Sequence, residues 1–568
     1  MQGKKRKILK KILLRSAVGF IVGIVALAIY FIIMAVDHPP MEDDLSSLRI
    51  RRIRYGENAF VLGNNWMRKS ESGLWEAYIE GRPFERGVAF GRLSRELLYY
   101  QEKAFVEQIM ELIPSPVYLR VLKYFIAFFN RNLDKNIPAE FRHEIYGTSF
   151  SCSPEFDFIG SGYQRQLNYH AAHDIGHALK DLNMVGCTSF SVWDGSSADS
   201  SLLVGRNFDF YMGKKFSENK IVCFVNPSSG YKFMMVTWAD LVGVVSGMND
   251  QGLTVTLNAA KSDIPRQAAM PVTLLAREIL QYASTIEEAY RISRKRKLFV
   301  SESLMIGSAR DGKTAIIEKS TGKSDLVYPD VSMIICTNHY QGSVFSRDEN
   351  NIGNIRGSDS RERYQRVHEL LIRNKPLDVA GAITLLRDRR GLGDSEIGMG
   401  NQLAINQLIA HHSVVFKPDS LLVWVSAGPW QSGKFVMYDL NRIFNMNISH
   451  IRKNREIYTP SRTVAADTFL ASPDYRKYEN YLVMTLKINN FIKNQQELPE
   501  GFETEYMRSN PSLHLTYSRL GDYFAATGEY KKAHSYYQTA LGLKLPGKDE
   551  ENSLKEKAAR MHKKINHD

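Results

Sequence analysis

Apolar positions along this chain change regime several times. Residues 17–36, AVGFIVGIVALAIYFIIMAV, form an uncharged run long enough as a helix to span ~30 Å of hydrocarbon, which predicts a transmembrane anchor. Residues 41–75 are polar and mixed and predict a stalk or entry segment. From Trp75, EAYIEGRPFERGVAFGRLSRELLYY predicts a short strand, a glycine-punctuated turn and a helix. VYLRVLKYFIAFF, residues 117–129, is apolar on almost every side and predicts a helix that is buried or lies against lipid. Between Thr188 and about Leu440, β-rich runs alternate with turns: LLVGRNFDF, KIVCFV, GLTVTLNAA, KTAIIEK, MIICTNHY, SLLVWVSAG and KFVMYDL. Helical patterns at 271–290 and 362–373 interrupt them, so the body is predicted as α+β, with sheets sandwiched by helices.

After about residue 455 the pattern turns helical, rich in Tyr and Lys. Leu520-Gly521-Asp522-Tyr523, then Ala525, Gly528, Tyr530, Ala533, Tyr536, Tyr537, Ala540, Leu541 and Pro546, resembles one tetratricopeptide (TPR) repeat. One repeat cannot bury its own face, so residues 470–507 and 550–565 are expected to supply neighbouring helices. Such an all-α TPR-like tail either recruits a protein partner or caps the enzyme, and the pattern leaves both open. The expected organisation is a basic segment 1–16, an anchor 17–36, an amino-terminal segment 37–186, a catalytic domain 187–455 and a helical domain 456–568.

Charge sharpens the topology. Lys and Arg outnumber Asp and Glu by 74 to 61, a net +13, but Lys4, Lys5, Arg6, Lys7, Lys10, Lys11 and Arg15 supply seven of those charges, leaving about +6 elsewhere. That distribution argues against a nucleic-acid partner. With cations on the amino side of the apolar run, residues 1–16 are expected in the cytoplasm and all that follows Pro40 across the membrane. The run ends bulky at Asp37-His38-Pro39-Pro40, unlike a cleavable signal, so a single-pass protein with a periplasmic body is expected. Four cysteines, 152, 187, 223 and 336, are too few for a disulfide scaffold.

Candidate chemistry centres on MVGCTSFSVWDGSSADSSLLVGRNFDF, in which Cys187 follows a glycine at the head of a strand. By itself such a cysteine reads as buried and inert. However, Gly186-Cys187-Thr188-Ser189-Phe190 followed by GRNFDF resembles the autoproteolytic acyltransferases of the N-terminal-nucleophile hydrolases, a group that includes isopenicillin N acyltransferases, with choloylglycine hydrolases, penicillin V acylases and acid ceramidase as more distant relatives. Further stretches agree in order. EGRPFERGVAFGRL is similar to the opening Gly-rich motif, and Ser246-Gly247-Met248-Asn249-Asp250-Gln251-Gly252-Leu253 to the central turn. Cys336-Thr337-Asn338-His339-Tyr340, Ser360-Arg361-Glu362-Arg363-Tyr364 and SVVFKPDSLLVWVSAGP match the later segments, and the resemblance covers about residues 76–440.

The resemblance implies a four-layer αββα fold and self-cleavage before Cys187, which frees an α-amine. An α-amine has a pKa of roughly 7.7–8.0, so nucleophile and base then sit in one residue. It also implies that Asp209 holds that amine, Arg206 lowers the thiol pKa or orients Asp209, and Asn338 donates to the oxyanion. Arg363 would organise the pocket, with Arg361 as an alternative register. Asn249, followed by Gly252, reads as a turn residue. The implied reaction is cleavage or transfer at a carbon–nitrogen acyl bond of an N-acylated small molecule or lipid. A membrane-tethered assembly protein with an inactive hydrolase-like domain is the competing expectation. His170, His173 and His177 share a helical face at a spacing that could bind zinc, but no HExxH glutamate accompanies them. No cofactor or metal is expected, and His411-His412 reads as a strand flank.

Overall fold

The computed structural model describes residues 2–35, 37–112, 130, 133–178, 186–210, 213–262, 269–446 and 456–566. The apolar stretch expected as a buried or lipid-facing helix at 117–129 lies outside them. Two sheets form the body. The larger has eleven strands in the order β1 (Ile53–Gly56), β2 (Ala59–Leu62), β3 (Asn65–Lys69), β4 (Trp75–Gly81), β7 (Ile221–Pro227), β8 (Phe233–Thr237), β9 (Ser246–Asn249), β10 (Leu253–Ala259), β11 (Glu302–Ser308), β12 (Lys313–Lys319) and β13 (Ser324–Val327). The smaller has seven in the order β14 (Met333–Cys336), β5 (Thr188–Asp194), β6 (Ser200–Phe208), β15 (His412–Lys417), β16 (Leu422–Ser426), β17 (Phe435–Asp439) and β18 (Thr459–Val464).

Three apolar cores define the layers. Val204, Val414 and Val425 of the smaller sheet meet Phe224, Met248, Met305 and Ile316 of the larger one, so the sheets stack face to face. Val225, Val255 and Ile317 face outward against the helices Ala139–Ser149 and Val272–Tyr282. On the opposite outer face Phe190, Val192 and Val415 pack under Ser360–Arg373 and Val379–Leu386. The central strands are buried on both faces, continuously apolar over most of β7 and β8 but with buried Thr254, Thr256 and Asn258 in β10 and Ser189 and Ser191 in β5. The arrangement is the αββα order expected.

Residues 41–75 are not a stalk. They hold β1 to β3, three antiparallel strands that extend the larger sheet. Each is only four or five residues long and β1 is exposed throughout, so no apolar period develops for the sequence to display. Likewise β18 lies beyond residue 455 and pairs with β17, carrying the smaller sheet into the stretch assigned to the helical domain.

The amino-terminal helix runs Gln2–Ala35. Among the described residues no helix is long and apolar enough to cross a membrane. The expected anchor at 17–36 therefore gains no support: residue 36 and the side chains at 28 and 31–35, part of the run on which it rested, lie outside the described residues.

The tail consists of helices Pro473–Asn494, Phe502–Ser509, His514–Ala526, Tyr530–Leu541 and Lys548–Ile565. Gly521 lets two of them cross closely, since a Cβ there would stand 2.5 Å from the Tyr537 ring. The expected helix-turn-helix is present, but its apolar face is used in its own core and against Leu408, Met399 and Trp430 of the body. This is the geometry of a cap, and neither a repeat nor a partner-binding surface draws support from it.

Candidate active site

Strand pairing assembles the site. Cys187 immediately precedes β5, and the antiparallel register of β5 with β6 sets Ser189 opposite Arg206 and Thr188 opposite Asn207. Asp209 then follows the end of β6. On the other edge of β5, β14 sets Cys336 opposite Ser189, so Asn338 emerges two residues later at the same end of the sheet. Arg363 comes from the covering helix Ser360–Arg373. The five residues expected from the sequence are thereby brought together.

The Cys187 side chain is buried, and its Sγ lies 3.6 Å from Arg206 Nη2 and 3.9 Å from the Asp209 carbonyl oxygen. Burial pushes its pKa up while Arg206 pulls it down, and burial dominates, so the thiol is held neutral in the uncut chain. Arg206 is fixed by donating to the Val245 carbonyl at 2.6 Å, to Ser246 Oγ and to the Leu257 carbonyl, with its guanidinium 4.5 Å from the Phe208 ring centre. Asp209 differs. Its carboxylate is fully buried, and neither oxygen has a hydrogen-bond partner among the described residues. Burial raises its pKa to about 7, against the pull of Arg363 and Arg206. A buried carboxylate without donors is costly and calls for a reason.

Arg363 donates from Nη1 to the Cys187 carbonyl at 2.8 Å and to Thr188 Oγ1 at 2.9 Å, from Nη2 to Asn338 Oδ1 at 2.7 Å, and from Nε to Asp359 Oδ2 at 2.7 Å. Arg361 is exposed on the same helix, so Arg363 is the arginine that reaches the site. Accepting from Arg363 fixes the Asn338 amide, whose Nδ2 donates to the Ala259 carbonyl at 2.9 Å. An amide nitrogen carries two hydrogens, and one remains for a developing oxyanion.

Three buried groups at the site escaped the sequence reading. Asn258 accepts from Ser189 Oγ at 2.8 Å and donates to the Cys336 carbonyl at 3.0 Å, tying β5 and β14 to β10. The legible signal was the single amide side chain of the strand Leu253–Ala259. His412 is more than a strand flank: its Nε2 lies 2.8 Å from Ser246 Oγ, the hydroxyl that holds Arg206, and burial keeps its pKa well below the usual imidazole value. Gln407 Nε2 donates to the Gly186 carbonyl at 3.1 Å across 221 positions of chain, a contact for which the sequence holds no signal. Asn249 is a turn residue as expected, its Oδ1 accepting from the backbone of Gln251 at 3.1 Å and Leu253 at 2.9 Å.

His170 is buried between the Gln166 carbonyl at 2.7 Å and the Val242 amide at 3.0 Å, so both ring nitrogens are engaged by backbone. The side chains of His173 and His177 lie outside the described residues. Among the described residues no group of three or more His, Cys, Asp or Glu is placed to hold a metal. An aromatic recess lined by Phe105, Tyr169, Phe210, Phe216 and Trp238, with Gln101 and Asp240, borders the core that Cys187 shares.

Residues 194–402 match the family model described as acyl-coenzyme A:6-aminopenicillanic acid acyl-transferase, in accord with the resemblance seen in the motifs. The match begins seven residues after Cys187. An uncharacterised protein of Archaeoglobus fulgidus is 26% identical over 275 residues, 46% of this chain and 46% of that protein. Protein dcd1B of Dictyostelium discoideum is 22% identical over 262 residues, 43% of this chain and 50% of that protein. The chain thus spans about half the length of the curated relatives it matches. Among solved structures, a Caenorhabditis elegans N-acylethanolamine-hydrolyzing acid amidase ortholog aligns with 17% identity and a TM-score of 0.30, over 41% of this chain and 93% of that one. A mutant conjugated bile acid hydrolase from Clostridium perfringens aligns with 13% identity and a TM-score of 0.31, over 45% of this chain and 92% of that one.

Proposed function

We propose that this chain is a thiol-nucleophile amidohydrolase or acyltransferase, active on carbon–nitrogen acyl bonds after cutting itself between Gly186 and Cys187, a reading supported by the match of residues 194–402 to that acyl-transferase family model. The observation that carries the reading is Asp209. Its carboxylate is buried with no donor among the described residues, and its main chain lies against the Gly186–Cys187 peptide, where cleavage would create a cationic α-amine. The Gly186 amide already donates to the Asp209 carbonyl at 3.0 Å, so the new amine would form within reach of the residue.

In the cut enzyme the Cys187 amine accepts the thiol proton during attack and returns it to the leaving amine. Arg206, against Sγ, favours the thiolate, the attacking species. Asn338 donates its second amide hydrogen to the oxyanion, and Arg363 holds both the Cys187 carbonyl and the Asn338 amide in place. The acyl group is expected to be apolar, each methylene it buries contributing about 0.8 kcal/mol. Turnover of acetyl, octanoyl and palmitoyl versions of one amine should therefore rise from acetyl upward.

N-terminal sequencing or intact mass analysis of purified protein tests the proposal. A fragment beginning at Cys187 is expected, and Cys187→Ala should stay both uncut and inactive. A single uncut chain that turns over N-acyl substrates would overturn self-cleavage. An uncut chain with no adduct at Cys187 after exposure to N-acyl amino acids and lipids would favour a scaffold.

A further inference from the structure

The contact between Gln407 and Gly186 joins two places that no motif connects, and it falls on the carbonyl that self-cleavage must attack. Gln407 is buried, and its Nε2 donates to the Gly186 oxygen at 3.1 Å. The same peptide is held on its other sides: the Gly186 amide donates to the Asp209 carbonyl at 3.0 Å, and Arg363 Nη1 donates to the Cys187 carbonyl at 2.8 Å. Only glycine permits this approach, because a Cβ on residue 186 would stand 2.3 Å from Gln407 Nε2.

The loop that presents Gln407 is itself fixed. Asn207 Nδ2 donates to the Ile405 carbonyl at 2.9 Å, the Asn406 amide donates to the Asp388 carbonyl at 2.8 Å, and the Leu408 amide donates to Asn406 Oδ1 at 3.0 Å. Leu408 takes φ 56, the left-handed region that a branched side chain adopts only when its surroundings over-determine it. Its side chain is anchored in the core of the helical tail. A long polar side chain has been aimed at one carbonyl oxygen by a strained, tail-buttressed turn.

We infer that Gln407 is the oxyanion donor of the self-cleavage step, an assignment that rests on the cleavage proposed above. In that step Cys187 Sγ bonds to the Gly186 carbonyl carbon, the carbonyl oxygen gains negative charge against Gln407 Nε2–H, and the thiol proton passes to the Cys187 nitrogen. Loss of the carbon–nitrogen bond leaves a thioester and a free α-amine. Water then bonds to the same carbon and the carbon–sulfur bond breaks; sulfur takes one of the water's protons and the new α-amine the other, and Gly186 departs as a carboxylate. One water is consumed and no redox partner is required.

The test follows the appearance of the Cys187 fragment in freshly translated full-length chain, for wild type, Gln407→Met, Gln407→Glu and Gly186→Ala. Removing one oxyanion donor lowers such rates by about 10²–10³-fold. Met and Glu keep the volume but remove the neutral amide donor, and Gly186→Ala sets a Cβ against the Gln407 amide and displaces it. All three are expected to slow cleavage by that factor while their melting temperatures stay with that of Cys187→Ala. If any folded Gln407 variant cuts at the wild-type rate, the assignment to Gln407 falls and self-cleavage stands. If wild type remains uncut and active, self-cleavage itself fails.

Discussion

In the proposed mechanism Asp209 and Asn338 both face charge that develops at the reacting centre, which would make their value kinetic rather than architectural. Asp209→Asn or Asn338→Ala should slow turnover at least tenfold with the fold intact, measured as kcat/KM alongside a melting curve. Asp209 also imprints a pH dependence on the uncut chain. Its folded pKa of about 7 exceeds the ordinary carboxylate value of roughly 3.9, so its contribution to stability is full below ~4 and is lost as pH rises through about 7. Denaturant titrations of Cys187→Ala should show stability falling across that window, and adding Asp209→Asn should flatten the fall. Glu76 and Glu318, also raised to about 7 by burial, titrate in both variants and drop out of the difference. At this scale the motifs carried Cys187, Arg206, Asp209, Asn338 and Arg363, because each lies within a few residues of a recognisable strand end or helix start. Gln407 was invisible because its meaning depends on an irregular loop meeting Gly186 from 221 positions away.

Among elements, the junction of tail and body is a matched fit. Asn510 Nδ2 donates to the Met399 carbonyl at 2.8 Å and the Met399 amide donates back to Asn510 Oδ1 at 3.0 Å. Beside them Gly398 holds φ 81, and a Cβ there would stand 2.5 Å from the Leu513 backbone nitrogen. Gly398→Ala thus adds left-handed strain of order 1 kcal/mol to a collision with main chain, which cannot swing aside. Limited proteolysis should cut the tail several-fold faster in this variant, whereas an unchanged digestion rate would mean the tail does not depend on this seam. The central strands were legible because their β-branched and apolar residues recur in short runs bounded by turns, as in β7, β10 and β16. The strands β1 to β3 and β18 were not, since the first three are only four or five residues long and β1 and β18 lie at sheet edges, where pairing is owed to a neighbour rather than to the strand's own period.

For the molecule as a whole, the decisive fact is that the proposed cut does not fall between domains. β4, from before Gly186, pairs in parallel with β7, from after it, with register from Trp75 opposite Ile221 to Gly81 opposite Pro227. The first four strands of the eleven-stranded sheet would thus belong to one fragment and the other seven to its partner. A buried ion cluster reinforces the seam: Glu144 lies 2.6 Å from Arg86 on its own side and 3.3 Å from Arg277 on the other, with Gln281 donating to Glu140 at 2.7 Å. Removing the Glu144 carboxylate leaves the buried Arg277 without its ion pair and Arg86 with Glu140 alone, a loss of roughly 3–5 kcal/mol. The cut protein should therefore elute from a sizing column as one particle at micromolar concentration and separate into two chains only in denaturant. Glu144→Ala should lower the denaturant concentration at which they part. Fragments that separate on the column without denaturant would mean that neither the shared sheet nor the ion cluster holds the two halves together.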